Sequence, residues 1–390
     1  CDGTRYVSEV FQNVDVVSNI QYGANTTFCG TAKNLLMDIY TPQGDAATQR
    51  PVVFMGFGGS FISGARTDSY VQDLCRRYAR RGFVAVAYDY RLFELCVLPP
   101  DSVTMLDVVV KAVADLKAAV RYMREHATDY GVDTNYIFAG GVSAGGVLSC
   151  NAAYLGPDDN IGAYVLDAVN ANGGWDGNTS NNYQYSSSIQ GVISMSGALH
   201  RSSWLDADDG PLYAIHETGD GTVPYATGFA NVFGINLVTL QGGASMHYQA
   251  DNIGVANTFV SITANAHTAY MNDANRVTQI VTGSSQLFHD VVFCPTFASN
   301  PSVEAFEHLL NAYPNPTAGD LLLEINKPAS ERWSLELRNE LGQLVRSVAH
   351  RSENVFPIER GALPSGVYFL TVRFEDTPVV PMTRRVVFTH

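Results

Sequence analysis

Positive charge is scarce in this 390-residue chain: 24 Lys and Arg stand against 38 Asp and Glu, a formal net charge of −14. Such a surface repels phosphate backbones, which argues against nucleic acid as a partner. Charged residues of both signs make up only 16% of the sequence and hydrophobic residues 46%. That balance excludes a disordered chain and leaves a well-packed globular one. No apolar run reaches the ~18 residues that mark a transmembrane helix. The six cysteines (Cys1, Cys29, Cys75, Cys96, Cys150, Cys294) include no Cys-x-x-Cys pair, against a structural zinc site or a thioredoxin-like motif. An even count without metal spacing fits an oxidising compartment and at least two disulfides, with Cys1–Cys29 or Cys1–Cys294, and Cys75–Cys96, as candidate pairs. No charged-then-apolar leader precedes Cys1. The chain therefore reads as a mature or trimmed form, or as a lipoprotein whose first cysteine carries the lipid.

What is present is unevenly distributed. From Tyr313 to the end there are nine basic and nine acidic residues, so the remainder, with 15 basic and 29 acidic, carries the whole deficit. Two joined units are expected. The first 290 residues alternate strand-like and helix-like segments, which predicts an α/β fold on a mostly parallel sheet with helices on both faces. Strands are expected at Leu35–Tyr40, Pro51–Met55, Phe83–Tyr88, Tyr136–Gly140, Ile189–Met195, Pro211–His216 and Asn257–Ile262. Helices are expected at Tyr70–Arg81, Val103–His126 and from about Ala269 towards Phe293. Between Gly156 and Ser188 the pattern dissolves into Asn, Gly, Ser and Tyr, as a functional loop would. The boundaries are 1–294 for a catalytic domain, 295–312 for a linker with a helical turn near Val303–Leu310, and 313–390 for a small Ig-like β-sandwich.

Gly141-Val142-Ser143-Ala144-Gly145 stands between a buried strand and a helix, where Gly-x-Ser-x-Gly forms a tight turn that lifts a serine hydroxyl clear of the sheet. Serine needs a base and an orienting acid. Asp220, in a turn directly after a buried strand, is the expected acid; Asp206, Asp208 and Asp209 sit in an acidic loop and read as solvated. His267, after the last strand, is the expected base. His247, in a polar inserted segment, is its rival, and His216 is expected only to line the site. Gly58-Gly59-Ser60-Phe61 supplies the backbone N–H groups of Gly59 and Ser60 which, with that of Ala144, would bind an oxyanion.

On these motifs the first 294 residues resemble the α/β-hydrolases of the carboxylesterase and hormone-sensitive-lipase-like kind. The resemblance implies ester hydrolysis with no metal and no organic cofactor. Such enzymes often carry His-Gly-Gly-Gly at the oxyanion loop, where this chain has Phe57-Gly58-Gly59-Ser60. The tail resembles the C-terminal sorting domain of the type IX secretion system of Bacteroidetes, through Tyr313-Pro314-Asn315-Pro316-Thr317, Leu341-Gly342-Gln343, Leu363-Pro364-Ser365-Gly366-Val367-Tyr368 and Arg384-Arg385-Val386-Val387. That implies export to the surface or medium by that machinery; a carbohydrate-binding module is the alternative.

The expected activity is a secreted serine carboxylesterase with a Ser143, His267, Asp220 triad. Phe61, Trp175, Trp204 and Tyr270 are expected to contact substrate. With no long apolar helix to act as a lid, an open, aromatic-lined cleft would suit short-chain or aromatic esters. Polyesters such as poly(ethylene terephthalate) and plant-cell-wall esters extend that class. A serine peptidase of the same fold and a non-catalytic surface protein are the alternatives.

Overall fold

The computed structural model describes residues 4–294, 310–325, 332–339, 343–374 and 382–389. The chain divides into two compact units, Cys1–Pro295 and Thr296–His390.

Buried strands of the first unit read as continuous apolar runs because both of their faces are covered. Val84–Tyr88 and Leu212–Glu217 are buried at every position. In chain order the strands are β1 (Val14–Thr26), β2 (Ala32–Pro42), β3 (Arg50–Gly56), β4 (Val84–Tyr88), β5 (Val132–Val142), β6 (Val192–Met195), β7 (Ala198–Leu199), β8 (Leu212–Glu217), β9 (Thr227–Val232), β10 (Ile235–Gly242) and β11 (Asn257–Ile262). Eight of them form one sheet in the order β1-β2-β4-β3-β5-β6-β8-β11. Its first two pairings are antiparallel, and every pairing from β4 to β11 is parallel. The helices are α1 (Ser69–Arg80), α2 (Ser102–Glu125), α3 (Ala127–Tyr130), α4 (Ala144–Tyr154), α5 (Ala163–Ala171), α6 (Gly243–Ile253) and α7 (Ala274–Phe288). Asp101 caps α2, its carboxylate accepting the Thr104 N–H at 2.7 Å.

Three elements differ from the expectation. β1 is an edge strand, mostly exposed and broken by register shifts, so no period-2 pattern marks it. The stretch expected as loop from Gly156 to Ser188 contains α5, whose buried stripe is only Val165 and Val169 and whose cap is Gly162. The polar insertion before α6 is a hairpin, β9–β10, pairing through β10 with β7.

The cysteine pairs also differ. Cys29 is bonded to Cys96, with Cα atoms 5.9 Å apart, which rules out Cys1–Cys29 and Cys75–Cys96. Cys294 is in a disulfide as well, whereas Cys75 and Cys150 are free and buried. Cys1 lies outside the described residues.

Of the stretch expected as a linker, 295–309 lies outside the described residues, and the helical turn expected near Val303 falls there. Its last part is not linker: β12 (Leu310–Tyr313) pairs with β13 (Leu321–Ile325). With β14 (Trp333–Asn339), β15 (Leu344–Arg351), β16 (Val355–Ile358), β17 (Gly366–Phe374) and β18 (Met382–Phe388) these form two sheets, β12-β13-β16 and β15-β14-β17-β18. Alternate residues of β13 and β14 point inward, as a sandwich requires. Trp333 is fully buried and donates its indole N–H to the Glu353 carbonyl at 2.9 Å.

One buried ion pair ties the first unit together. Arg91 meets Asp115 of α2 at 2.8 Å, both shielded from solvent, and Thr179 donates to the same carboxylate at 2.6 Å. Asp115→Ala strands the guanidinium, which is expected to cost about 3–5 kcal/mol. Urea denaturation measures it, and a loss below about 1 kcal/mol contradicts this account.

Candidate active site

Only Ser143 separates the end of β5 from the start of α4, so one residue makes the whole turn. It does so at φ 54° and ψ −115°, a strained conformation for a side chain with a Cβ. Close packing enforces it: a Cβ on Gly145 would lie 2.3 Å from the Gly56 carbonyl oxygen, and one on Gly141 would lie 2.6 Å from the same atom. The Ser143 N–H donates to the Met195 carbonyl at 2.8 Å, pinning the turn to β6.

The turn after β11 brings His267 to this serine. Its Nε2 lies 2.7 Å from the Ser143 Oγ and its Nδ1 2.6 Å from Asp220 Oδ2. These partners assign the proton to Nδ1, leaving Nε2 to accept from the hydroxyl. Asp220 follows β8, and its Oδ1 accepts the Thr222 and Val223 N–H groups at 2.8 and 3.1 Å. Burial alone would raise the Asp220 pKa, but hydrogen bonds from His216 and His267 outweigh it and hold the carboxyl well below its usual range.

His216 does more than line the site. It is fully buried, and its Nε2 lies 3.2 Å from Asp220 Oδ2 and 3.1 Å from the Val223 carbonyl. Its Nδ1 accepts the Gly243 N–H at 3.2 Å, so the ring proton sits on Nε2, facing the acid. One oxygen of Asp220 thus faces two imidazoles. The available signal was a histidine ending a buried strand four positions before the acid. His247 stands elsewhere, against Asn257 and Asp251.

The Gly58–Phe61 loop lies beside the serine. Gly58 donates its N–H to the Tyr70 hydroxyl at 2.7 Å, and Phe57 stacks on Tyr90 with ring centroids 4.1 Å apart. Gly59, Ser60 and Phe61 all have positive φ, which folds the loop back so that Ile62 and Ser63 donate to the Gly59 carbonyl. The Ala144 N–H opens α4, where helices leave their first donors unpaired.

A cavity of about 150 Å³ opens on Ser143 and is lined by Ser60, Phe61, Ala144, Trp175 and Trp204. Tyr270 is not among its walls: its hydroxyl is 2.9 Å from Ser196 Oγ and its ring is core. Nor is the site an open aromatic cleft. Residues of α5 and of the β9–β10 hairpin line the cavity, and Val and Leu are the commonest residues on its wall. The expectation failed because neither element carries the length or period of an apolar lid. Among the described residues no group of three or more His, Cys, Asp or Glu could hold a metal ion.

Residues 37–202 match the BD-FAE family model, and residues 311–387 match the secretion system C-terminal sorting domain. The chain carries a BD-FAE domain, an esterase-like α/β-hydrolase, and ends in a sorting domain. Esterase LipQ of Mycobacterium tuberculosis is 30% identical over 142 residues, 36% of this chain and 30% of LipQ. The carboxylic ester hydrolase LipM of the same organism, named as probable, is 31% identical over 124 residues, 32% of this chain and 26% of LipM. The chain therefore spans under a third of these curated relatives. Among solved structures, Thermogutta terrifontis esterase 2 with propionate bound aligns at TM-score 0.48 and 20% identity, over 67% of this chain and 91% of that one. A truncated carbohydrate esterase from gut microbiota aligns at 0.49 and 18%, over 71% and 98%. The sorting domain makes this a secreted or cell-surface protein, and no helix among the described residues is long and apolar enough to cross a membrane.

If His216 helps hold Asp220, His216→Phe should slow labelling of Ser143 by a fluorophosphonate roughly ten- to hundredfold, the worth of a charge-assisted hydrogen bond. An unchanged labelling rate in the folded variant would show that His267 and Asp220 keep their geometry alone.

Proposed function

We propose that the first unit is a serine carboxylic ester hydrolase working through a covalent acyl-enzyme, with Ser143 as nucleophile, His267 as base and Asp220 as orienting acid. The unbroken hydrogen-bond chain from Ser143 Oγ through His267 to Asp220, at 2.7 and 2.6 Å, carries this reading. His267 Nε2 takes the hydroxyl proton as Oγ adds to the ester carbonyl. The carbonyl oxygen becomes an oxyanion facing the Gly59, Ser60 and Ala144 N–H groups, each such donor being worth roughly 2.7–4 kcal/mol. Collapse breaks the bond to the alcohol oxygen, which leaves with the proton from His267. Water then gives a proton to His267 and its oxygen to the acyl carbon. The second collapse returns Ser143 and releases the acid. Asp220, ionised throughout, offsets the imidazolium charge at both steps.

A cavity of about 150 Å³ suits short to medium acyl groups. Phe61, Trp175 and Trp204 put aromatic side chains on the cavity wall, the basis for plant-cell-wall esters and aromatic polyesters as substrates. The aliphatic majority of the wall supports unbranched acyl chains more strongly. The second unit is read as the signal handled by the type IX secretion machinery, with no part in the chemistry.

Ser143→Ala should lower hydrolysis of p-nitrophenyl butyrate by on the order of 10⁶-fold. Turnover within tenfold of the parent would refute the assignment.

A further inference from the structure

Helix α4 runs along the cavity from the serine turn, and one stripe of it forms part of the wall. Ala144, Val147 and Asn151 are spaced three and four residues apart, so they share a face, and all three line the void. The proposed oxyanion site includes the Ala144 N–H, so an acyl group held there has this stripe beside it. Leu106 of α2, Val165 of α5 and Leu237 of β10 continue the lining in hydrocarbon. Asn151 interrupts it with an amide.

Asn151 is only 8% exposed. Its Nδ2 donates to the Val147 carbonyl at 2.8 Å. A carbonyl accepts only from the N–H side of an amide, so this bond fixes which way the group is turned. The carbonyl does not depend on it, because inside α4 it already takes the Asn151 backbone N–H. Among the described residues no donor reaches the Asn151 Oδ1. That oxygen keeps some open surface, and the void that Asn151 lines is where the surface lies. Ser149 provides the contrast. It makes the same back-bond, to the Gly145 carbonyl at 2.8 Å, but it is fully buried and stands off the wall, and the bond satisfies its one hydroxyl. Asparagine forms helix less readily than leucine or alanine, and an amide oxygen facing hydrocarbon is unfavourable unless a donor meets it. An acceptor so placed recognises a hydroxyl on whatever fills the void.

We propose, on the reading of Ser143 as nucleophile, that the acyl group is an unbranched aliphatic chain ending in a hydroxyl, which donates to Asn151 Oδ1. The substrates are then esters of ω-hydroxyalkanoic acids. Two lengths agree on the size of the chain. Held to Val147, the amide lies between the levels of Val147 and Asn151, roughly 5–10 Å along the helix axis from Ala144. At about 1.2 Å per bond of extended chain, that is on the order of four to eight bonds from the acyl carbon. A six-carbon chain with a terminal hydroxyl falls in the middle of that range. A void of about 150 Å³ holds a benzene-sized guest, again on the order of six carbons.

Binding is tested apart from catalysis. Full-length Ser143→Ala protein is titrated calorimetrically with methyl 6-hydroxyhexanoate and with its isomer methyl 5-methoxypentanoate, which has the same atoms and chain length but no O–H to donate. The alcohol should bind about three- to tenfold tighter, and Asn151→Leu, close to it in volume, should erase that preference. Equal or weaker binding of the alcohol, or a preference that survives Asn151→Leu, overturns the proposal. If Asn151 serves only the fold, Asn151→Leu shifts both ligands equally, which also overturns it. Should Asn151→Leu fail to fold, a third isomer, methyl 3-hydroxyhexanoate, takes its place. Its hydroxyl is too near the acyl carbon to reach Oδ1, so it should bind no better than the ether; binding equal to that of the 6-hydroxy ester overturns the proposal. The Ser143 protein is then assayed with the p-nitrophenyl esters of 6-hydroxyhexanoic and 5-methoxypentanoic acids, and kcat/KM should follow the binding ratio. A binding preference with neither ester turned over counts against the hydrolase reading and upholds the Asn151 subsite. Turnover without a preference counts against the subsite alone.

Discussion

Helix α4 meets the sheet backbone to backbone, and the geometry around Ser143 follows from that contact. A Cβ on Gly145 would fall 2.3 Å from the Gly56 oxygen, and one on Gly146 would fall 3.0 Å from the Gly197 Cα. With only hydrogen at these positions, α4 seats against β3 and the turn after β6, and the chain must enter it through one residue at positive φ. The same seating aims the helix N-terminus, with its unpaired N–H groups and the positive end of its dipole, at the space above Ser143. Gly58 completes the arrangement, since a Cβ there would lie 3.5 Å from the Ser143 Cβ. The loop that carries the remaining proposed oxyanion donors thus rests on the turn itself.

Helix α2 sets the shape of the cavity as much as α4 does. Its apolar face forms one wall, and its cations hold the opposite segment by backbone carbonyls and side-chain oxygens: Lys111 on Asn172, Lys117 on Trp175, Arg121 on Asp176, Arg124 on Ser186 and Ser188. A segment rich in Asn, Gly and Ser has too little apolar surface to order itself by burial. Charge-assisted bonds from one rigid helix order it instead. The Arg91–Asp115 pair joins that system through Thr179. The wall that faces a hydrocarbon void is therefore held in place from behind by charge.

Much of this was legible in the sequence, and the misses share a cause. The buried parallel strands announce themselves because both faces are covered, and α2 because a 24-residue helix repeats its apolar stripe many times. That Ser143, Asp220 and His267 meet in space was legible by chain order and strand-end position. By contrast β1, α5 and the β9–β10 hairpin are edge or roof elements, each with one short buried face. Their positions are decided by what they pack on, which no local period records. The cavity was misjudged for the same reason: Trp175 and Trp204 stand out in the sequence, whereas the many Val and Leu residues that outnumber them there come from five separate elements. Tyr270 lies near His267 in the chain, but its ring is committed to the core.

The roof and the acid are one structure. Asp220 receives the Thr222 and Val223 N–H groups on one oxygen and faces His267 and His216 on the other. Four polar hydrogens directed at one carboxylate favour its charged form strongly enough to outweigh burial, so it stays ionised where an imidazole titrates. The His216 tautomer that makes this possible is set by the Gly243 N–H, and Gly243 opens α6 directly after β10. The junction is tight: a Cβ on Gly243 would lie 3.2 Å from the His216 Nδ1. The hairpin that covers the hydrocarbon void therefore cannot shift at its base without disturbing the ring that faces Asp220. Coverage of the cavity and the proton order around the carboxylate are set by the same few backbone atoms.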